Sequence, residues 1–429
     1  MNILVIGTGY VGTTTALVFA EMGWNVTGLD TDSLKINQLK QGNLHFYEPG
    51  LEELLRKHMQ SGHLQFTTDK DQAINNNDII FICVGTPSGP DGNADLSYVQ
   101  QVAEDIGHAS NRYKLIINKS TVPVGTQERV TSWIKSAQIE SHPFDVASNP
   151  EFLREGKALI DALNPDRIII GSNHERATHL ILTLYQSVNC PVVVTTPRTA
   201  ELIKYASNAF LATKISYINE MARLCDKLGV HVKDVAEGIG LDPRIGQSFL
   251  QAGIGYGGSC FPKDVSALLL TAKANDTELS LLEKVVSVNQ TQHLYLLDKV
   301  RERLETLAHK KIAVLGLAFK PETDDIREAP ASRVIQSLLS EQAYVSVFDP
   351  VAPLEPYLLQ QPITWSATPE DALQHADAVI LCTEWAIYQQ IDWVQMKNIM
   401  NQPNMFDGRN MLEATLMKSI GFYYQGIGC

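Results

Sequence analysis

Four glycines in six residues, Gly253, Gly255, Gly257 and Gly258, run into Ser259-Cys260-Phe261-Pro262-Lys263-Asp264. Such a glycine density leaves backbone free to approach a ligand closely. Pro262 stands where a first helical residue would, ahead of a helical run over Val265–Ala274. Cys260 therefore falls just before a helix N-terminus with Lys263 beside it, and both neighbours favour thiolate over thiol. That matters because an unperturbed thiol, pKa about 8.5, is only a few per cent ionised at neutral pH. The remaining cysteines, Cys83, Cys190, Cys225, Cys382 and Cys429, are scattered, without a C-x-x-C pair. Neither a disulfide framework nor a zinc site is indicated, and no metal is expected. Cys83 and Cys382 lie in apolar runs and read as structural. On position alone, Cys260 stays open between a reactive thiolate and a structural cysteine beside a phosphate-binding loop.

A second glycine-rich stretch opens the chain. Gly7-Thr8-Gly9-Tyr10-Val11-Gly12 is a G-x-G-x-x-G placed after a strand and before a helix. Gly7 permits the tight turn, Gly9 lets backbone amides approach a pyrophosphate, and Gly12 allows close helix–strand packing. A helix N-terminus adds its dipole and free N–H groups. Alone, the motif also describes an ordinary strand–helix turn. Asp30 decides between them, since it ends the second strand near the roughly 20-residue spacing of the acid that grips a ribose hydroxyl. Asp32 follows, and two carboxylates there disfavour the extra phosphate of NADP, so the expected cofactor is NAD.

These sites need elements to hold them. Asn2–Ile6 and Asn25–Leu29 read as strands around a helix over Thr13–Glu21. Ile79–Val84, Lys114–Lys119, Asp145–Ala147 and Arg167–Ile170 read as further strands, too short for helices and as apolar as strands buried on both faces. From Thr199 to Leu228 there is no Pro or Gly, and Leu202, Ala206, Ala209, Phe210, Ile215, Ile218 and Met221 recur at helical spacing. That is a helix of about 30 residues, about 45 Å long, able to link domains. Helical patterns continue to Leu307. Then the opening theme returns: Lys311–Gly316 resembles the first strand and turn, Tyr344–Phe348 with Asp349 the second strand, and Ala376–Cys382 resembles Asn77–Cys83. Leu317 and Phe319 stand where a phosphate-cradling turn needs glycine, so this repeat is expected to bind something other than NAD. The expected fold is α/β: two Rossmann-like doubly wound domains, residues 1–198 and 308–429, joined by a long helix and a helical central domain, residues 199–307.

Composition agrees with a multi-domain globular protein. The chain has 429 residues, more than one core fills, and 44% hydrophobic residues. Its net charge of -13 argues against a nucleic-acid partner, which needs basic patches. No apolar run approaches the roughly 20 residues that span a bilayer. Met1–Gly7 lacks the basic flank and length of a signal peptide. The expected location is the cytoplasm, with no membrane partner.

The glycine loop Gly255–Asp264, the GTGYVG turn, Ser120-Thr121-Val122-Pro123-Val124-Gly125-Thr126 and Asn149-Pro150-Glu151-Phe152-Leu153-Arg154-Glu155-Gly156 together resemble the UDP-glucose 6-dehydrogenase family. The match continues through Phe319-Lys320, Arg327-Glu328 and Asp407-Gly408-Arg409-Asn410, so it covers the chain in order. The resemblance implies oxidation of a sugar-nucleotide C6 alcohol to a carboxylate in two steps by successive NAD molecules. It makes Cys260 the nucleophile that holds the intermediate aldehyde as a thiohemiacetal and then a thioester. Lys204 and Asn208, four apart on the long helix and so on one face, become the oxyanion partners; the residues alone make Lys204 a surface partner of Glu201. Glu151 becomes the carboxylate acting with water as general base, Asp264 the residue placing that water, and Thr121 a threonine near the reacting carbon and nicotinamide.

The same resemblance gives the substrate the segment Phe152, Leu153, Arg154 and Glu155. It adds the loop Phe249, Leu250, Gln251, Ala252 and Gly253, together with Lys204, Asn208, Gly257, Lys320 and Arg409. Gln251 departs from relatives that carry Lys or Asn there. Arg244 resembles an arginine that reaches a partner subunit's site, which implies a homodimer. Tyr10 and Val11 of the turn, Lys35, Thr86, Thr121, Glu155, Lys263 and Arg327 match cofactor contacts. Ser259 and Phe261 stand where relatives acting on UDP-N-acetylmannosamine and GDP-mannose carry His and Leu, so UDP-glucose is the expected substrate. Another nucleotide sugar, such as UDP-galactose or GDP-mannose, stays open. Two rivals stand beside it: a two-electron hydroxyacid dehydrogenase with the same domain plan and an idle cysteine, and a catalytically silent nucleotide-sugar-binding protein.

Overall fold

Each apolar run at the start of the chain is a strand in the computed structural model, which describes residues 1–89 and 92–429. The chain packs into two compact units, residues 1–207 with 266–271 and residues 208–265 with 272–429.

In the first unit the strands are β1 (Asn2–Ile6), β2 (Asn25–Leu29), β3 (Leu64–Thr67), β4 (Ile79–Ile82), β5 (Lys114–Asn118), β6 (Phe144–Ser148), β7 (Ile168–Gly171) and β8 (Val192–Thr195). They form one sheet in the order β3-β2-β1-β4-β5-β6-β7-β8. All neighbours are parallel except β6 and β7, which meet antiparallel at Ser148 and Gly171. Helices cover both faces, so β1 beyond Asn2 and all of β4 are buried and two apolar clusters sandwich the sheet. β3 and β8 escaped the sequence reading. β3 has four residues, with only Leu64 and Phe66 buried. β8 is an edge strand whose Val192, Val193 and Val194 all stay exposed. The first helix spans Tyr10–Glu21, starting inside the glycine motif instead of at Thr13.

The second unit repeats the plan. Strands β9 (Lys311–Leu315), β10 (Tyr344–Phe348), β11 (Ile363–Trp365), β12 (Ala378–Leu381), β13 (Asn404–Asp407) and β14 (Tyr423–Gly426) form a sheet in the order β11-β10-β9-β12-β13-β14. That is the crossover order of β3-β2-β1-β4-β5-β6, the Rossmann order. The likeness extends to single hydrogen bonds. Gly7 N donates to Leu29 O and Gly316 N to Phe348 O, both 2.8 Å, while Cys83 N reaches Ile6 O at 2.8 Å and Cys382 N reaches Leu315 O at 2.9 Å. Gly316 thus matches Gly7, which sets Ala318 opposite Gly9, one residue past Leu317 where the sequence reading placed the conflict. Asp349 closes this turn, accepting from Leu317 N at 2.7 Å, Ala318 N at 3.2 Å and the Trp385 indole at 3.2 Å. The turn's amides are spent inside the protein.

The long helix spans Pro197–Leu228 and opens with proline in its first turn, where the missing N–H costs nothing. It carries Lys204 in the first unit and Asn208 in the second. Beyond it, Ile218, Ala222, Val232, Leu296 and Leu297 share one core with Ile312, Val314, Val345 and Ile380 of the second sheet.

Candidate active site

The glycine turn of the first unit is shaped by contacts only glycine survives. A Cβ on Gly12 would lie 1.7 Å from Gly7 O, and Gly7 itself sits at φ +92° against the Cys83 backbone. Gly9 has nothing within 4 Å of its missing Cβ, which leaves open space over the turn. No side chain caps the first helix, and its first turn holds no acid. Its free N–H groups and positive end therefore suit a pyrophosphate. Asp30 accepts from Thr8 N at 2.8 Å, Thr8 Oγ1 at 3.0 Å and Asp32 N at 3.0 Å. Burial pushes its carboxyl up, but these bonds outweigh burial and hold it below its ordinary value. A charged carboxylate with lone pairs to spare suits a ribose diol.

Deeper in the same unit, β5 and β6 end at the two other motifs. Lys204 donates to Glu151 Oε1 at 2.8 Å, and both side chains are nearly fully buried. Leu153 N donates to Glu151 Oε2 at 2.5 Å. Burial raises the Glu151 carboxyl, yet the Lys204 charge and hydrogen bond win, and it stays below its ordinary value. Thr121 O accepts from the buried Thr86 hydroxyl at 2.8 Å, which ties two of the expected residues together. Glu201 does not pair with Lys204 on a surface. It is 3% exposed and accepts from Gly125 N at 2.7 Å, Gln127 N at 3.0 Å and Ser148 Oγ at 3.2 Å.

In the second unit Cys260 immediately precedes the helix Phe261–Lys273, and its carbonyl accepts from Asp264 N at 2.8 Å. Asp264 is completely buried and holds two donors, Asn208 Nδ2 at 2.6 Å and Lys263 Nζ at 2.6 Å. Ser259 Oγ lies 3.5 Å from Cys260 Sγ. Burial pushes up the thiols of the other cysteines: Cys83 and Cys382 to about 12, and Cys190, Cys225 and Cys429 in the same direction.

The comparisons with known proteins follow the same three segments. Models of the UDP-glucose/GDP-mannose dehydrogenase family match residues 1–189 as its NAD-binding domain, 198–291 as its central domain and 313–414 as its UDP-binding domain. The UDP-glucose 6-dehydrogenase TuaD of Bacillus subtilis (strain 168) is 45% identical over 428 residues, covering 100% of this chain and 93% of the relative. The chain belongs to the UDP-glucose/GDP-mannose dehydrogenase family. A UDP-glucose 6-dehydrogenase of Rhizobium meliloti (strain 1021) is 44% identical, with 100% of this chain and 99% of the relative covered. A solved UDP-glucose dehydrogenase from the archaeon Pyrobaculum islandicum superposes with TM-score 0.93 at 41% identity, covering 100% and 97% of the two chains. As an NAD-dependent dehydrogenase of this family, the chain takes NAD as its cofactor, and the turn described above fits it.

Other expected residues fall as follows. Tyr10 and Val11 begin the first helix, where the Tyr10 hydroxyl donates to Glu48. Lys35 is 3.9 Å from Asp32. Phe152 carries Lys204 Nζ 5.3 Å from its ring centroid. Arg154 is exposed and forked onto Asp161, with Nε and NH2 at 2.9 and 2.6 Å. Arg327 is forked onto Asp325 and Arg244 onto Asp242. Arg409 donates to Cys382 O at 2.8 Å, Gly255 O at 3.2 Å and Phe319 O at 3.1 Å, and its Nε lies 3.3 Å from the Glu384 carboxylate, so its guanidinium is held by the protein's own groups. Lys320 sits with its ammonium 5.1 Å from the Phe319 ring.

The glycine loop also needs a different reason from the one its sequence suggested. A Cβ on Gly257 would lie 2.3 Å from Glu328 O, and one on Gly258, at φ +86°, 2.8 Å from the Phe319 ring. Gly253 N and O are bonded to Asn219 Oδ1 and Gln292 Nε2, both at 2.8 Å, and Leu250 and Ala252 are buried. These glycines admit the protein's own loops. Glu48 was missed altogether: it accepts from Gly156 N at 2.6 Å and Ala158 N at 2.7 Å, holding the Glu155 segment to the glycine turn. An acid in a turn sequence gives no such signal.

Proposed function

We propose that this enzyme oxidises the C6 alcohol of UDP-glucose to UDP-glucuronate in two steps, with Cys260 as covalent nucleophile. One observation carries the reading. Cys260 alone among the six cysteines stands at a helix start four residues ahead of a buried carboxylate, Asp264, which holds the buried Asn208 amide and the half-buried Lys263 ammonium. The relatives named for UDP-glucose, close to half identical over the whole chain, supply the substrate. Residues 1–198 hold the dinucleotide, 199–307 carry the cysteine and the dimer contact, and 308–429 hold the UDP end.

NAD, held by the Gly7–Gly12 turn and Asp30, would supply the hydride acceptor for each oxidation, and the alcohol's hydroxyl proton leaves to solvent in the first. Cys260 Sγ adds to the C6 aldehyde, forming a C–S bond while the oxygen takes a proton. Loss of the second hydride and that proton leaves a thioester, and water then displaces the thiolate to give the carboxylate. Lys204 and Asn208 supply donors for the developing oxyanion. Glu151, ionised beside Lys204, takes the proton from the hydrolytic water, Asp264 places that water, and Thr121 lies at the reacting carbon. Glu155, Gly257, Lys320, Arg409 and the Phe249–Gly253 loop shape the substrate's surroundings.

The enzyme acts as a homodimer. Leu202, Phe210, Tyr217, Leu224 and Leu228 form an exposed apolar stripe at near-heptad spacing along the long helix, the pattern of a helix that packs on a second copy. Arg244, with 87% of its side chain exposed, is available to that copy. A panel of UDP- and GDP-sugars with each product identified tests the substrate. Turnover by Cys260→Ala at the wild-type rate would overturn the covalent mechanism.

A further inference from the structure

Glu201 is a buried acid that the mechanism above does not use. Its carboxylate lies at the start of the helix Thr126–Ala137, where it accepts from Gly125 N, Gln127 N and Ser148 Oγ. Gly125 sits at φ +94°, and the helix has no side-chain cap of its own. Glu201, reaching in from the long helix, takes that place, and the positive end of the helix favours its charge. The loop it fastens carries Thr121. One turn further along the long helix stands Lys204.

Between them lies a small cavity whose polar lining residues are Asn118, Ser120, Thr121, Ser148, Glu201 and Lys204, with Val122 and Pro150 closing it, and with room for about one water. Asn118 is 1% exposed, and neither its amide oxygen nor its nitrogen finds a hydrogen-bonding partner among the described residues. A buried amide with both ends unpaired costs free energy unless a water satisfies it. The other acids and bases nearby have partners of their own. Lys204 is with Glu151 at 2.8 Å, Arg198 with Glu128 at 2.5 Å, and Lys119 with Asn149 at 3.1 Å.

We propose that Glu201 is a positioning residue for the oxidation, clamping the Thr121 loop to the long helix beside Lys204 with a water that Asn118 holds in the cavity. The inference rests on the reading that Lys204 and Thr121 act at the reacting carbon. Burial raises the Glu201 carboxyl to about 7 against the pull of its three donors. Below that pH the group takes a proton, and its bonds to Gly125 and Gln127 lose their charge assistance. The two amides are thus held by charge-assisted bonds above about pH 7 and by weaker neutral ones below it.

The test is kcat and KM against pH for wild type and Glu201→Gln, with melting temperature alongside. Wild-type kcat is expected to fall below about pH 7 with the slope of one proton. Glu201→Gln, which cannot ionise, is expected to lose that limb and to have a pH 8 kcat lower by about tenfold, with KM within about twofold. An unchanged acid limb in Glu201→Gln would overturn the proposal. Asn118→Leu separates the water from simple packing. A loss of kcat of about threefold or more with no gain in melting temperature is expected when a structural water is displaced. A more stable Asn118→Leu enzyme with wild-type kcat would overturn the water's part, because removing a dry, unpaired amide stabilises. Lys204→Ala distinguishes the two levels. If it keeps wild-type kcat, the reading of Lys204 fails. If it is inactive while Glu201→Gln keeps the wild-type profile, only the present inference fails.

Discussion

Replacing Lys204 by methionine leaves the Glu151 carboxylate buried without its cation. At 2.8 Å and an effective dielectric near 20, the pair's gross attraction is about 6 kcal/mol. Desolvation of both ions offsets part of this, and removing one partner of such a pair costs about 3–5 kcal/mol. The loss falls on a parallel-sheet unit of about 200 residues, where each kcal/mol lowers the melting point by roughly 2–4 °C. A drop of roughly 6–12 °C or more at pH 7.5 follows. The sign of the pH dependence is fixed by Glu151. Its folded value is depressed below 4.5, so its contribution is full above 4.5 and is lost as pH falls through the depressed value. In Lys204→Met the main lowering influence is gone and burial dominates, so the variant's deficit grows from acid to neutral pH. Lys204→Met/Glu151→Gln removes both charges and should recover most of the loss, with little pH dependence. The assay is differential scanning fluorimetry of the wild type, both single variants (Lys204→Met and Glu151→Gln) and the double variant from pH 4.5 to 8. A deficit below about 1 kcal/mol in Lys204→Met, or a double variant no better than the single one, would refute the reasoning.

Further outcomes can be checked on the same preparations. Asp30→Ala should raise the KM for NAD by about tenfold or more with kcat little changed, measured by initial rates, because it removes a bound-state contact. Gly257→Ala should give an unstable enzyme, read as lost soluble yield and melting temperature, since its Cβ would lie 2.3 Å from Glu328 O. Lys114→Met should destabilise by about 3 kcal/mol or more in thermal unfolding. Lys114 Nζ donates to Ile74 O, Asn75 O and Asn77 O at 2.6, 3.1 and 2.7 Å, and the change strands the Ile74 and Asn77 carbonyls, while Asn75 O keeps the Arg112 guanidinium at 2.7 Å. Brief iodoacetamide treatment at pH 7.5 should label Cys260 and spare Cys83 and Cys382, as peptide mass spectrometry will show.

Much of this molecule was legible along the chain because its rules are local. Strand runs, the glycine turn with Asp30, the long helix and the second α/β repeat all follow from period and spacing. The parts that stayed hidden are those fixed by residues far apart in sequence. β8 is held only by pairing with β7, and the antiparallel junction of β6 and β7 leaves no mark in either strand. Lys204 looked like a partner for Glu201 because the helix puts them three apart. The fold turns Glu201 to the loop at Gly125 and gives Lys204 to Glu151, 53 residues earlier. The glycines of the cysteine loop were visible, but the Glu328 backbone and the Phe319 ring that press on Gly257 and Gly258 come from the strand-to-helix loop after β9. Site roles came from the family resemblance, whereas the pairings that tune them came from tertiary structure.

The covalent, two-step oxidation is tested most directly by counting NADH formed per UDP-glucose consumed at completion. A thiolate that holds the aldehyde until its second oxidation gives two NADH per sugar, with UDP-glucuronate as product. One NADH per sugar, with free aldehyde released, would contradict it.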